Sequence, residues 1–150
     1  MILKKIFLIF LFGILSSCEY KPIYQKKVDL NTLIKKIQLV GDKNINRKII
    51  SFLNLQNNNI STGYTLLLDS KKNQQIISKD KSGNASVYRT TIIVKILLNN
   101  KEEVIRQKTF SLNSSYNVMT NKFDLLQYQK NIELSLIDQI ADEIFIFLTL

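Results

Sequence analysis

Between Val87 and Leu98 the chain alternates with the period of an extended backbone: Tyr88, Thr90, Ile92, Val94, Ile96 and Leu98 fall on one side, and Arg89, Thr91 and Lys95 on the other. Successive side chains of a strand point to opposite faces, so this pattern describes a strand with one buried face and one wet face. A sheet built around it must be covered on one side only. The flanking sequence supplies the neighbours. Tyr64 to Ser78 is β-rich, and Lys81-Ser82-Gly83-Asn84 is a turn signal, which together predict a hairpin. Asn99-Asn100 turns the chain again, and Val104 to Leu112 forms the third strand of the meander, ending near the polar stretch Asn113-Ser114-Ser115.

What covers the buried face is written on either side of the meander. From Asn121 onward the apolar period changes to that of a helix, with Leu125, Tyr128, Ile132, Leu136, Ile140, Ile144 and Phe147 at three- and four-residue steps and Thr120 or Asn121 as the cap. A helix of ~27 residues runs about 40 Å, enough to cross the sheet diagonally. Lys130, Glu133, Asp138, Asp142 and Glu143 interrupt it, so it is not a membrane span. Upstream, Leu33 to Val40 reads as a strand, and Gly41-Asp42 opens a short helix with Ile45, Ile49, Phe52 and Leu53 on its stripe. The cluster Asn57, Asn58, Asn59 is a loop within one domain. The predicted order is β-α-β-β-β-α. It is an α+β fold, a two-layer sandwich of about four mostly antiparallel strands with both helices on one face.

The amino terminus reads differently. Lys4 and Lys5 precede an apolar run from Ile6 to Leu15, followed by Ser16, Ser17 and Cys18. That order is a secretory signal peptide over residues 1–17, and the run is about half of the ~20 residues a transmembrane helix needs. Leu15-Ser16-Ser17-Cys18 fits the lipoprotein form of such a signal, in which cleavage leaves a lipid-modified Cys18 as the new N-terminus. The competing reading is an ordinary signal with an incidental cysteine. Cys18 is the one cysteine of 150 residues, so an intramolecular disulfide is excluded, and acylation would remove a lone exposed thiol from an oxidising compartment. Three acyl chains hold far more firmly than the marginal grip of one. Residues 18–32, with the only proline at Pro22, read as a lipidated tether, leaving 33–150 as the domain.

The formal charge is +9, and loss of Lys4 and Lys5 leaves nearer +7, from 19 basic against 12 acidic residues. One reading of part of this is genome composition, because only Arg47, Arg89 and Arg106 are arginine and the chain is also rich in Ile and Asn. A selected anionic partner is the other reading. For an exported protein that anion is not nucleic acid; phosphate- and carboxylate-bearing lipid head groups fit better. With no histidine and no second cysteine, Ser-His, Cys-His and His-zinc chemistry are all excluded, and no cofactor or metal is expected. Asp138 and Asp142, at i and i+4, read as a solvated helix face rather than an acid/base pair. Gly41, Gly63 and Gly83 are isolated, so no phosphate loop is suggested. The chain is read as a binding module, not an enzyme.

Three places together resemble LptE, the lipopolysaccharide-assembly lipoprotein family, in its alphaproteobacterial form. Cys18-Glu19-Tyr20-Lys21-Pro22-Ile23-Tyr24 is similar to the start of that family's mature chain. Ser78 to Leu98, with a basic-polar turn and the Tyr88-Arg89 pair, resembles its central hairpin. Ser115-Tyr116-Asn117 before a long last helix resembles its closing segment. Glu19 departs from the family's frequent glycine. The resemblance implies an outer-membrane lipoprotein on the periplasmic face that pairs with the LptD β-barrel as a plug and helps lipopolysaccharide reach the outer leaflet, breaking no bond. The candidate lipopolysaccharide contacts are Lys79, Lys81 and Arg89 on the hairpin, then Arg106 and Lys108 on the neighbouring strand; each also fits a basic residue that merely keeps a sheet face wet. Tyr64, Tyr88, Phe110 and Tyr116 read as packing. The alternative function is a scaffold or lipid-binding module of a different envelope complex.

Overall fold

The computed structural model describes residues 29–57, 62–101 and 103–150. The signal peptide, Cys18 and most of the tether lie outside them, as do Asn58 and Asn59. A 3-10 turn, Leu30–Thr32, leads into β1 (Ile34–Gly41), α1 (Lys43–Phe52), β2 (Tyr64–Lys79), β3 (Ala85–Asn100), β4 (Glu103–Asn117) and α2 (Lys122–Thr149). The four strands form one sheet in sequence order, β1 parallel to β2 and the remaining pairs antiparallel. A parallel pair needs a crossover, and α1 supplies it; the antiparallel pairs need only tight turns.

Burial follows the alternation of β3. Ile92, Val94 and Ile96 are fully buried, beside Leu66 and Leu68 of β2 and Phe110 of β4. They form one core with Ile45 and Ile49 of α1 and Leu136, Ile137, Ile140 and Ile144 of α2, so both helices cover the same face. The other face carries rows such as Asp69, Lys95 and Thr109, or Asn73, Thr91 and Asn113, and no described element covers it. This is the α+β sandwich that the periodicities imply.

Three details depart from the sequence reading. First, β4 runs on through the polar stretch to Asn117, because alternation persists there: Tyr116 is buried while its neighbours Ser115 and Asn117 face water. Second, Leu30 is buried in the core, so packing begins inside the segment read as tether. Third, the outer members of the helical stripes are not buried. Phe52 is exposed while the next residue, Leu53, packs inward, and Tyr128 is 43% exposed. The buried part of α2 starts at Leu136, so the helix covers the core with its second half.

The crossover is fixed by a small polar knot. Asp42 caps α1, its carboxylate accepting from the amides of Asn44 and Ile45 at 2.8 and 3.1 Å. Asn46, buried one turn on, donates to the Val40 carbonyl at 2.8 Å and accepts from the Ser70 hydroxyl at 2.7 Å. Gly41 stands between these partners with φ +83°, and a Cβ there would collide with the Ser70 carbonyl oxygen. Gly83 in the hairpin turn has nearly the same φ, +84°, with open space around it. Both positions carry the left-handed penalty of about 1–2 kcal/mol for any other residue. Gly41→Ala is therefore expected to destabilise the fold by clearly more than Gly83→Ala. Urea unfolding of the two variants checks this, and equal losses would mean that the β1–β2 crossover yields freely.

Candidate functional site

β2 and β3 outrun β1. The shorter strand pairs with β2 only from Tyr64 to Ser70, and the hairpin continues for nine more residues of β2. At about 3.3 Å per residue, the 16 residues of β2 put the turn roughly 50 Å from the end where β1 begins. The molecule thus has a proximal end, where the chain enters the domain, and a distal end formed by the hairpin, the end of β4 and the first turns of α2.

The five basic residues of interest do not share one surface. Lys79 closes β2, Lys81 sits in the turn, and Arg89 lies on the uncovered sheet face, where its Nε donates to Ser115 Oγ at 3.2 Å. These three belong to the distal end. Arg106 and Lys108 pair with Leu98 and Ile96, which places them on the helix-covered face. The Arg106 guanidinium lies 4.3 Å from the centroid of Phe147, and Lys108 Nζ lies 4.7 Å from that of Phe110. Ion–quadrupole attraction holds both cations over aromatic rings. The alternation of β4 contains the signal for this face assignment; the ring partner from α2 is a long-range contact no local pattern reveals.

The distal end has features that the sequence left unassigned. Past Ser70 the inner face of β2 turns polar, with Lys72 and Gln74 where Leu66 and Leu68 stood before. Their partners come from across the layer. Lys72 Nζ meets Glu133 Oε2 of α2 at 2.8 Å, and Gln74 Nε2 donates to Tyr116 Oη at 2.7 Å. Tyr116 Oη also lies 3.2 Å from Thr90 Oγ1, and its ring packs edge-on against Tyr128 at 6.1 Å. Between this sheet region and α2 runs a cleft of about 210 Å³ bordered by Lys72, Gln74, Leu126, Lys130 and Glu133. Apolar side chains stand exposed in the segments of this end: Ile76 and Ile77 at the end of β2, Val118 after β4, and Phe123 and Leu126 on α2, the last two 66% and 64% exposed, with Leu126 also lining the cleft. Lys79, Lys81, Lys122 and Lys130 stand among them in the chain.

Among the described residues, no group of three or more His, Cys, Asp or Glu side chains could hold a metal ion, and no helix is long and apolar enough to cross a membrane. Asp138 and Asp142 lie exposed on α2.

No protein-family model and no curated protein matches the sequence. Solved structures do. The fold is similar to that of a minor lipoprotein from Acinetobacter baumannii, with a TM-score of 0.57, 16% identity, and 74% of this chain and 87% of that one covered. It is similar to rare lipoprotein B from Shewanella oneidensis, with a TM-score of 0.59, 13% identity, and coverage of 76% and 93%. An uncharacterized lipoprotein B from Nitrosomonas europaea gives a TM-score of 0.57, 8% identity, and coverage of 75% and 79%. At these identities what is shared is the fold.

The bond to Glu133 raises the pKa of Lys72 above its ordinary 10.5. A raised pKa stabilises the fold at every pH below the unfolded value, and that contribution is lost as pH climbs through the folded one. Because both side chains are partly solvated, at 40% and 21%, the pair is expected to contribute about 0.2–1 kcal/mol. A double-mutant cycle with Lys72→Met and Glu133→Gln should return that coupling at neutral pH and lose it only as pH rises past 10.5 through the raised folded-state value. No coupling at neutral pH would show that the first half of α2 is not tied to the hairpin through this pair.

Proposed function

We propose that the chain is a lipid-anchored envelope protein of the LptE kind, joined to the outer membrane through Cys18 and paired with an LptD-like β-barrel, where it plugs the barrel and assists lipopolysaccharide insertion. The observation that carries the reading is the composition of the distal end. Lys79, Lys81 and Arg89 lie in the same end of the molecule as Ile76, Ile77, Phe123 and Leu126, so that end carries both cations and uncovered apolar groups, roughly 35 to 50 Å from where β1 begins. Lipopolysaccharide presents phosphate beside acyl chains, which this end can meet on both counts. Arg106 and Lys108, occupied by aromatic rings, are secondary in this reading.

Three further points support it. The fold is similar to that of solved bacterial lipoproteins. Leu15-Ser16-Ser17-Cys18 has the form of a lipoprotein cleavage site. The uncovered sheet face, polar but threaded with Leu67, Ile93 and Leu97, offers a mixed surface for the wall of a barrel. The role requires binding and positioning alone, so the chain is taken as a non-enzymatic component.

The test is an affinity pull-down of the lipidated protein from outer membranes, with mass spectrometry of the bound proteins and of Cys18. Recovery of an LptD-like barrel with acylated Cys18 is expected. Acylated Cys18 together with an inner-membrane complex would assign the chain to a different envelope machine. For the ligand, Lys79→Gln, Lys81→Gln and Arg89→Gln combined should weaken lipopolysaccharide binding by about a hundredfold, taking roughly 1 kcal/mol per cation. Undiminished binding by that triple variant, with a normal unfolding midpoint, would remove the hairpin from the site.

A further inference from the structure

The proximal end has its own chemistry, separate from the distal site. A cavity of about 590 Å³ opens there between the start of β1, the start of β2 and the β3–β4 turn, and Lys35, Lys36 and Lys101 all border it. Leu33, 40% exposed, borders it as well, and also borders a smaller apolar hollow with Ile105 and Leu148 on the helix side. Ammonium groups thus stand on one side of Leu33, and the exposed Ile105 beside the buried Leu148 on the other. This is the end where the tether enters. Among the described residues, the acids nearest in sequence to these lysines are Asp29 and Glu103. Cys18 and Asp29 are eleven residues apart, a reach of about 36–40 Å when extended, which is less than the roughly 50 Å length of the hairpin strands.

We propose that this end of the domain docks on the anionic phospholipid head groups of the leaflet that holds its lipid anchor, with Lys36 and Lys101 over the phosphates and Leu33 and Ile105 at the head-group boundary. The inference rests on acylation of Cys18, part of the function proposed above, but not on the barrel or on lipopolysaccharide. The tether brings the proximal end near the surface, and cations near an anionic leaflet are each attracted enough to change occupancy about fivefold. Docking fixes the direction of the long axis and carries the distal end away from the leaflet.

Lysine footprinting on the intact lipoprotein tests this. The acylated protein is placed in vesicles of phosphatidylcholine alone or with about 30% phosphatidylglycerol, treated with an amine-reactive reagent, and each lysine is quantified by mass spectrometry, which also reads the state of Cys18. In the anionic vesicles Lys36 and Lys101 are expected to react about fivefold more slowly, while Lys79 and Lys81 keep their rates. The protection should vanish near 0.5 M salt, where screening reaches only about 4 Å. Equal rates in the two vesicles, or protection spread equally to Lys79 and Lys81, overturns the proposal with Cys18 acylation intact. An unmodified Cys18 overturns both this proposal and the anchor on which the functional reading depends.

Discussion

The structure depends on covering one side of β3. Its even-numbered residues from Ile92 to Ile96 are fully buried, and its odd-numbered ones face the uncovered side, so each neighbouring element must respect the same division. A strand slipped by one residue would turn the whole apolar row to water. β2 and β4 meet this constraint by pairing in register, Leu66 and Leu68 beside Leu98 and Ile96, and Phe110 beside Val94. α2 meets it by length: 28 residues span about 42 Å, and the buried residues Leu136 to Leu148 lie in the part that shares the core with these strands. The rest of the helix continues past the apolar core, over a region where β2 supplies Lys72 and Gln74.

That division explains why most of the fold was legible in the sequence. The alternation of β3 and the helical stripe of α2 are local patterns, each long enough to identify an element and its buried face. The end of β4 was harder to read because its polar residues fit a loop as well as a strand. Asn113 to Asn117 pair with Thr91 to Val87 of β3, and Tyr116 is buried against Thr90 and Tyr128, partners 26 and 12 residues away. Phe52 and Tyr128 sit at helical spacing but at the rim of the core, where periodicity cannot tell a covered position from an uncovered one.

The candidate site was legible in its residue types but not in its grouping. Arg89, Arg106 and Lys108 look alike in sequence, yet strand parity assigns Arg89 to the uncovered face and the other two to the covered one. Along β3, Arg89 and the Ile96 that pairs with Lys108 are seven residues apart, about 23 Å, so the two groups could not touch one small ligand together. The apolar half of the distal end was not visible at all. Ile76, Phe123 and Leu126 come from segments separated by the meander, and no local pattern relates them.

The placement of Arg106 and Lys108 also bears on which surface a partner can use. β4 is an edge strand of 15 residues with no proline, the kind of open ladder that invites another strand. Two charges pointing to the covered face, held over Phe147 and Phe110, oppose such pairing, because an added strand would crowd them against the aromatic rings without giving them water or a counter-ion. The opposite edge is occupied in part: Asn57 Oδ1 accepts the Ile37 amide of β1 at 2.8 Å. With one edge guarded by charge and the other by a loop amide, strand addition is the less favoured way for this sheet to meet a β-structured partner. The uncovered face remains, where Leu67, Ile93 and Leu97 lie among Lys, Thr and Asn, and a partner that meets this sheet would do so face to face rather than edge to edge.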